Sequence, residues 1–348
     1  DGLLFYYNGP GGAVTVPEGV TKIGEHVFND SDTGMYMGTA PLTSITFPMT
    51  LTDIGDDAFY SSGLSTLTIP ANVTSVGTSA FYGCTDLTAV TVNAADIHFD
   101  SYAFSYCENM TSFTSFANQL TIGEPSSLNP DISISYAFYN CTRLVNVDLT
   151  GLTGILANCS FQGCALLSTI TIPEGVTSIG SSAFRECASL SAITIPAGVT
   201  SIGSSAFRDA GIESLTIPYL VTDIGSYFVG DCESLTQVTI LTPNATYSSS
   251  SFNYFPEDAK LYCRYNSTAT AAADSQNVSY EYLSSTVSLT ANSDEYTNTG
   301  LTAYSGFAEL YGFEASGASR SGETSVLDAL LAAHLDQYGD AFTAENYR

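Results

Sequence analysis

LSTITIPEGVTSIGSSAFRECAS at 167–189 runs straight into LSAITIPAGVTSIGSSAFRDAGI at 190–212, so the chain repeats itself with a period of 23 residues. Stacked copies of one unit bury faces that a single unit cannot, so this period governs every local reading. The phenylalanine of the Ala-Phe pair carries the phase outward: Phe28, Phe59, Phe81, Phe104, Phe138, Phe161, Phe184, Phe207, Phe228 and Phe252. Its steps are 31, 22, 23, 34, 23, 23, 23, 21 and 24 residues. The two long steps place insertions at about 29–41 and about 116–134 in an array of about ten coils.

Each coil has a physical reading. Leu190-Ser-Ala-Ile-Thr-Ile195 puts apolar side chains at positions one, four and six, and the last two alternate with a polar residue as in a half-buried strand. Pro48, Pro70, Pro173, Pro196 and Pro218 follow that strand and end its ladder, because proline has no N–H to donate. Val-Thr-Ser-Ile-Gly at 176–180 and 199–203 supplies two more inward apolar side chains. Gly24, Gly55, Gly77, Gly180, Gly203 and Gly225 share one phase, which predicts a turn needing positive φ. Ser-Ser-Ala-Phe reads as a capped helical turn whose Phe fills the core.

The recurring pattern Leu-x-x-Ile-x-Ile-Pro-x-x-Val-x-x-Ile-x-x-x-Ala-Phe-x-x-Cys resembles the BspA-like leucine-rich repeat family of microbial surface proteins, from about Asp1 to about Leu283. The coils at 93–104 and 116–161 depart from it by losing Pro and blurring Val-x-x-Ile-Gly. The resemblance implies an α/β fold, a right-handed leucine-rich-repeat solenoid with one parallel sheet face, displayed outside the cell. It further implies adhesion and host or matrix binding, not catalysis, and the family has no fixed catalytic motif to carry over.

Residues 1–13 read as an entry cap and about 245–283 as a closing cap, since bare solenoid ends expose apolar side chains and strand edges. Beyond 284 the pattern changes. STVSLTA (285–291) reads as a strand, FAELYGFEASG (307–317) as a second, and SVLDALLAAHLDQYG (325–339) as a helix opened by Ser325 and Asp328. Gly322-Glu-Thr-Ser-Val-Leu-Asp-Ala-Leu330 resembles the opening of the transcobalamin-like C-terminal β-grasp family, so 284–348 is either part of such a domain or a small appendage.

Of the 348 residues, 8 are Lys or Arg and 35 are Asp or Glu, a net charge of −27 although only 12% of residues are charged. Lys22 and Lys260 are the only lysines, so nothing resembles the basic stripe that nucleic acid or an anionic membrane surface requires. No run approaches the roughly 18 apolar residues of a membrane span. Neither an initiator Met nor a signal peptide precedes Asp1, so the chain reads as a processed or excised piece of a secreted protein.

Candidate chemistry is sparse. Cys84, Cys107, Cys141, Cys164, Cys187 and, near the same phase, Cys232 read as a ladder of buried thiols; Cys159 and Cys263 are off phase. The closest pair, Cys159 and Cys164, is too widely spaced for CxxC metal binding. His26, His98 and His334 are scattered, and no nucleophile elbow, phosphate loop or zinc-protease motif stands in a suitable context, so no cofactor and no enzyme activity are expected. Glu25, Asp30, Asp32, Asp56 and Asp57 converge near one patch that could hold Ca²⁺; the alternative is a solvated acidic turn with a weak His26–Asp57 contact.

The outward strand position, Thr46, Thr68, Thr91, Thr114, Asp148, Thr171, Thr194, Thr216 and Thr239, suits a cross-strand threonine ladder and lacks the anchors of a binding face. Aromatic residues gather elsewhere. Tyr60 and Tyr82 follow the core Phe of neighbouring coils, with Tyr102, Tyr106, Tyr136 and Tyr139 near the same edge, and Met35, Tyr36 and Met37 lie in the adjoining insertion. Long loops on a rigid scaffold carry function, so this loop and edge form the expected contact site for a protein or glycan partner. A structural spacer for a larger surface protein is the alternative.

Overall fold

A computed structural model describes residues 2–7, 9, 11–28, 41–125, 133–264 and 267–283. Met35, Tyr36, Met37, Asp30 and Asp32, and the whole of 284–348, lie outside the described residues.

The chain winds as a parallel β-solenoid. Leu-x-x-Ile-x-Ile segments form the first strand face, including Thr66–Ile69, Ala89–Val92, Ser112–Ser115, Ser214–Ile217, Gln237–Ile240 and Lys260–Cys263. Their register repeats the sequence phase: Thr68 pairs Thr91, which pairs Thr114, and Thr216 pairs Thr239. Across coils 167–195 this ladder narrows to one bridge, Thr169 to Ala192.

The single sheet face expected from the sequence is accompanied by a second. The Val-x-x-Ile-Gly segments pair as short parallel strands, in one run from Leu3–Leu4 to Gln119–Ile122 and another from Gly154–Leu156 to Thr246–Tyr247. A Leu120–Leu152 bridge joins the runs. Asn146–Val147 and Gly154–Leu156 resume the two faces after the 116–134 insertion; the first face keeps its register, and the second shifts by a bulge between Gly154 and Ile155.

Two local expectations need correction. The Ser-Ser-Ala-Phe segment is not helical; among the described residues the one α-helix is Thr268–Ser275 in the closing segment. Instead each of the seven coils from Phe59 to Phe207 places two residues in the left-handed region, one two before and one two after the core Phe. Ser182 and Glu186 have φ of 56° and 62°, and Ser205 and Asp209 have 57° and 56°. This turns alternate N–H groups toward the next coil: Ser182, Phe184 and Glu186 donate to the carbonyls of Ser204, Ala206 and Arg208 at 2.8, 2.8 and 2.9 Å. A helix would close such bonds inside the segment, whereas stacked coils need them along the axis. At the far end Gln276 Oε1 accepts the Phe252 N–H at 2.8 Å, in place of a further coil.

The glycine phase has a different cause from positive φ. Gly55, Gly77, Gly180, Gly203 and Gly225 have ordinary φ, but a Cβ on Gly203 would lie 2.4 Å from Ser181 N, and one on Gly225 2.4 Å from Ser204 N. Hydrogen at this position lets one coil settle onto the backbone of the coil before it.

The core follows the sequence closely. Phe28, Phe59, Phe81, Phe104, Phe138, Phe161, Phe184 and Phe207 form one stack with centroids 5.0–5.7 Å apart and planes within 10°. Phe228 leaves this phase. Phe207 N–H donates to its carbonyl as Phe184 N–H does to that of Ala206, so Phe228 takes the alanine place and buried Val229 the phenylalanine place.

All eight cysteines are free and buried. The in-phase thiols meet the core carbonyls: Cys84, Cys107, Cys141, Cys164, Cys187 and Cys232 donate to the Phe carbonyl of the preceding coil at 2.9–3.2 Å. Cys159 occupies a left-handed turn position at φ 54°, and Cys263 ends a strand.

Candidate functional site

The left-handed geometry gives each coil three outward positions on its turn edge: both left-handed residues and the residue after the core Phe. Tyrosine takes these in four successive coils, as Tyr60, Tyr82, Tyr102 with Tyr106, and Tyr136 with Tyr139, all half-buried. Tyr60 stacks on Tyr82 at 4.8 Å and 10°, and Tyr102 on Tyr136 at 4.8 Å and 7°. Tyr82 meets Tyr106 at 5.2 Å and 50°, Tyr106 meets Tyr139 at 5.4 Å and 72°, and Tyr136 meets Tyr139 at 5.5 Å and 74°. The six rings form one continuous band.

Burial, then neighbouring phenols, raise Tyr82 and Tyr139, and a hydrogen bond with Cys159 pushes Tyr136 up to about 12. These three therefore offer hydroxyl donors and ring surface without charge near neutral pH. Coils 2 to 5 contribute one basic side chain beyond histidine, Arg143, whose Nη1 donates to Asn109 Oδ1 at 3.3 Å.

Further along, the same edge becomes ionic. Arg208 Nη2 lies 2.7 Å from Asp231 Oδ2, and its guanidinium sits 5.6 Å from the Tyr227 ring centroid and 5.3 Å from that of Tyr254. Arg185 Nε is 3.1 Å from Glu186 Oε1 but off the hydrogen-bonding line, so that N–H is buried and unbonded. The Arg208 cluster is absent from the sequence reading because phase counting on Phe228 misplaces Tyr227; counting from Gly203 to Gly225 recovers it.

Of the five carboxylates, Glu25, Asp56 and Asp57 are described, and the charges of Asp56 and Glu25 are felt at Asp57. Glu25 and Asp56 line a cleft of about 550 Å³ on the second strand face with Lys22, Asp53 and Asp100. Lys22 pairs in register with Asp53. Asp56 Oδ1 accepts the Thr78 N–H at 2.8 Å. Asp57 lies on the turn edge, 3.8 Å from His26 Nδ1, and its carboxyl is raised by burial. Among the described residues no three His, Cys, Asp or Glu side chains are placed to hold a metal ion. The structure also shows His98 bridging Asp100 Oδ1 and Thr121 Oγ1, each at 2.7 Å, a contact between adjacent second-face strands.

A second cleft of about 480 Å³ runs along the second face of the later coils. Ser178, Ser201, Ser204, Asp223 and Ser248 are among its linings, with Ser178 and Ser201 hydroxyls paired at 2.7 Å. Thr68, Thr91 and Thr114, and Thr216 with Thr239, form the outward ladder expected of them, whereas Thr171 and Thr194 lie where it narrows.

A family model described as the BspA type leucine rich repeat region matches residues 32–129 and 131–257, in six copies. No curated protein matches the chain. Among solved structures, a leucine rich cell surface protein of Faecalibacterium prausnitzii is similar at 25% identity over 69% of this chain, with a TM-score of 0.38. That match spans half of the Faecalibacterium chain. The pneumococcal vaccine antigen PcpA is similar at 19% identity over 78% of each chain, TM-score 0.40. The leucine rich repeat protein of T. pallidum is similar at 20% identity over 66% of this chain and 89% of its own, TM-score 0.37.

Proposed function

We propose that this chain, which belongs to the BspA-type leucine-rich repeat family, is a non-enzymatic recognition module that binds a protein or glycan partner at its tyrosine edge. The observation that carries this reading is the continuous band of six half-buried tyrosines on a rigid axial scaffold, Tyr60 through Tyr139. Aromatic side chains that expose both ring and hydroxyl supply much of the energy of protein recognition. The insertion with Met35, Tyr36 and Met37 follows coil 1 in the sequence, next to the coil that carries Tyr60, and belongs to the same proposed contact site. Display outside the cell is part of the proposal, supported by the family; among the described residues no helix is long and apolar enough to cross a membrane.

The test is retrieval of partners from extracellular-matrix and glycan preparations by three proteins. These are the unaltered chain, a Met35→Ser, Tyr36→Ser, Met37→Ser variant, and a Tyr60→Ser, Tyr82→Ser variant. Partners lost by either variant with unchanged melting support the contact site. A spacer would retrieve nothing specific, and partners that ignore both variants place recognition elsewhere.

A further inference from the structure

The turn edge contains its own example of a filled tyrosine site. Arg208 occupies the position after the core Phe; Tyr227 is the first left-handed residue of the next coil. Tyr254 follows one coil later; its carbonyl accepts the Asp231 N–H as that of Arg208 accepts the Glu186 N–H, though Tyr254 itself is left-handed at φ 60°. Three successive coils thus hold a guanidinium 5.6 and 5.3 Å from two phenol rings, closed by the Asp231 carboxylate at 2.7 Å.

Three earlier coils repeat part of the arrangement. Tyr102 stands where Tyr227 does and Tyr82 where Arg208 does; Tyr139 accepts the Tyr106 N–H as Tyr254 accepts that of Asp231, although Tyr254 alone of these two is left-handed, and Tyr106 takes the place of Asp231. The rings are present and the cation is not. Tyr106 fills the space between them and meets Tyr139 at 72°, so these two rings do not cover each other face to face as the stacked pairs do. Carboxylates bracket the band: Asp57 beyond Tyr60, and Glu186, whose charge is felt at Tyr139. The chain as a whole carries −27 and would draw a cationic partner.

We infer that the band centred on Tyr82, Tyr102, Tyr106 and Tyr139 is a docking surface for an arginine-bearing polypeptide segment, whose guanidinium groups lodge against the rings as Arg208 does on Tyr227 and Tyr254. This rests on the reading of the edge as the contact surface and names the partner's chemistry. Arginine is favoured over lysine because its planar, weakly hydrated group packs on aromatic rings, whereas ammonium remains a hydrated point charge.

The test uses capped hexapeptides, one alternating Arg with Gly and one alternating Lys with Gly, titrated calorimetrically into the full chain at about 0.15 M salt, where long-range attraction is screened. The arginine peptide is expected to bind about five-fold more tightly than the lysine peptide. A Tyr102→Gly, Tyr139→Ser variant is expected to abolish that preference. Glycine suits the φ of 63° at 102, and an unchanged melting curve shows that the variant is folded. Equal affinities, no binding, or a preference that survives the variant would overturn the proposal. Xylohexaose and matrix proteins form the second arm. If their binding falls in the variant while the peptides show no preference, the edge remains the contact surface but is not an arginine site. If no ligand responds to the variant, both readings fail together.

Discussion

Replacing Gly203 separates two explanations of the conserved-phase glycine that both predict intolerance of alanine. An added Cβ would lie 2.4 Å from Ser181 N, 2.6 Å from Gly180 C and 2.7 Å from Ser181 Cα. These are backbone atoms and cannot turn aside as a side-chain tip would, so the coils must part by about 1 Å to restore ordinary contact. That movement lengthens the axial bonds on either side, Gly203 N–H to Ile179 O and Ser182 N–H to Ser204 O, both 2.8 Å. Two weakened hydrogen bonds at about 1 kcal/mol each, with about 1–3 kcal/mol for overpacking, give a cost of about 3 kcal/mol or more for Gly203→Ala. Gly203→Asn is the decisive companion. Asn tolerates left-handed φ, so it would be mild if glycine were there for conformation; under close approach it costs at least as much as Ala. Gly83, at φ 68° with its nearest neighbour the movable Ser61 Oγ at 3.1 Å, should show the opposite pattern, Asn being tolerated better than Ala. Urea unfolding followed by circular dichroism measures all four, with midpoint and slope compared together because coils in an array can unfold in parts. A Gly203→Asn protein within about 0.5 kcal/mol of the unaltered chain would refute the close-approach account.

Three further outcomes follow from the thiol ladder. Ala210 is buried and stands where six coils carry cysteine, leaving the Phe184 carbonyl with the Cys187 N–H at 3.3 Å but no thiol. Ala210→Cys should therefore stabilise by up to about 1 kcal/mol, and Cys187→Ala should destabilise by about 1–2 kcal/mol, both read from denaturant midpoints. Burial pushes Cys141, Cys164 and Cys187 far above the ordinary thiol range, Cys232 up to about 12 and Cys263 up to about 11. Unfolded thiols ionise first, near pH 8.5, so above that the native state binds more protons than the unfolded one. Stability should be level below about pH 8 and fall as pH rises toward the folded values; a curve that stays level to about pH 10 would contradict the burial.

The parts of this fold that the sequence reveals are those set by one residue type with one physical job. Ten phenylalanines announce the coil, eight of them stack, and six cysteines in one phase are a buried ladder. Signals with two possible causes mislead. A glycine in fixed phase means only that no Cβ fits, and positive φ and backbone approach both forbid one; the sequence alone cannot separate them at Gly203 or Gly225. The pair Ser181-Ser182 resembles a helix cap because serine hydroxyls serve caps, yet Ser182 lies at φ 56° because axial bonding needs its N–H turned to the next coil. A second ladder escapes notice because strands such as Ser201–Ile202 are too short to show alternation. The tyrosine band is legible as a gathering of aromatics, but its pairing with Arg208 is not, because one inserted shift puts Phe228 in the alanine place and displaces Tyr227 from its apparent phase.

The placement of the tyrosines is itself costly, and this weighs on their role. Tyr102, Tyr106 and Tyr136 hold φ of 63°, 59° and 50°, a region in which a residue bearing Cβ is disfavoured by about 1–2 kcal/mol. The coils of simplest sequence fill the same places with Ser182 and Ser205, and others with Gly83, Gly163, Asn140, Asp209 and Asp231, while the left-handed Tyr227 and Tyr254 pack on Arg208. Ring stacking such as that of Tyr102 on Tyr136 returns part of the cost, about 0.5–1.5 kcal/mol, without exceeding it. Core packing gives no compensating reason, since these side chains lie outside the phenylalanine stack and are only half-buried. Stability alone would favour Gly or Asn at 102, 106 and 136. The proposed contact surface would account for three bulky aromatics in strained backbone on one short stretch of one edge, as strained residues elsewhere gather at ligand clamps. On that reasoning Tyr106→Gly should leave stability level or raise it slightly while weakening ligand capture, and a variant that lost stability instead would return the band to a purely structural role.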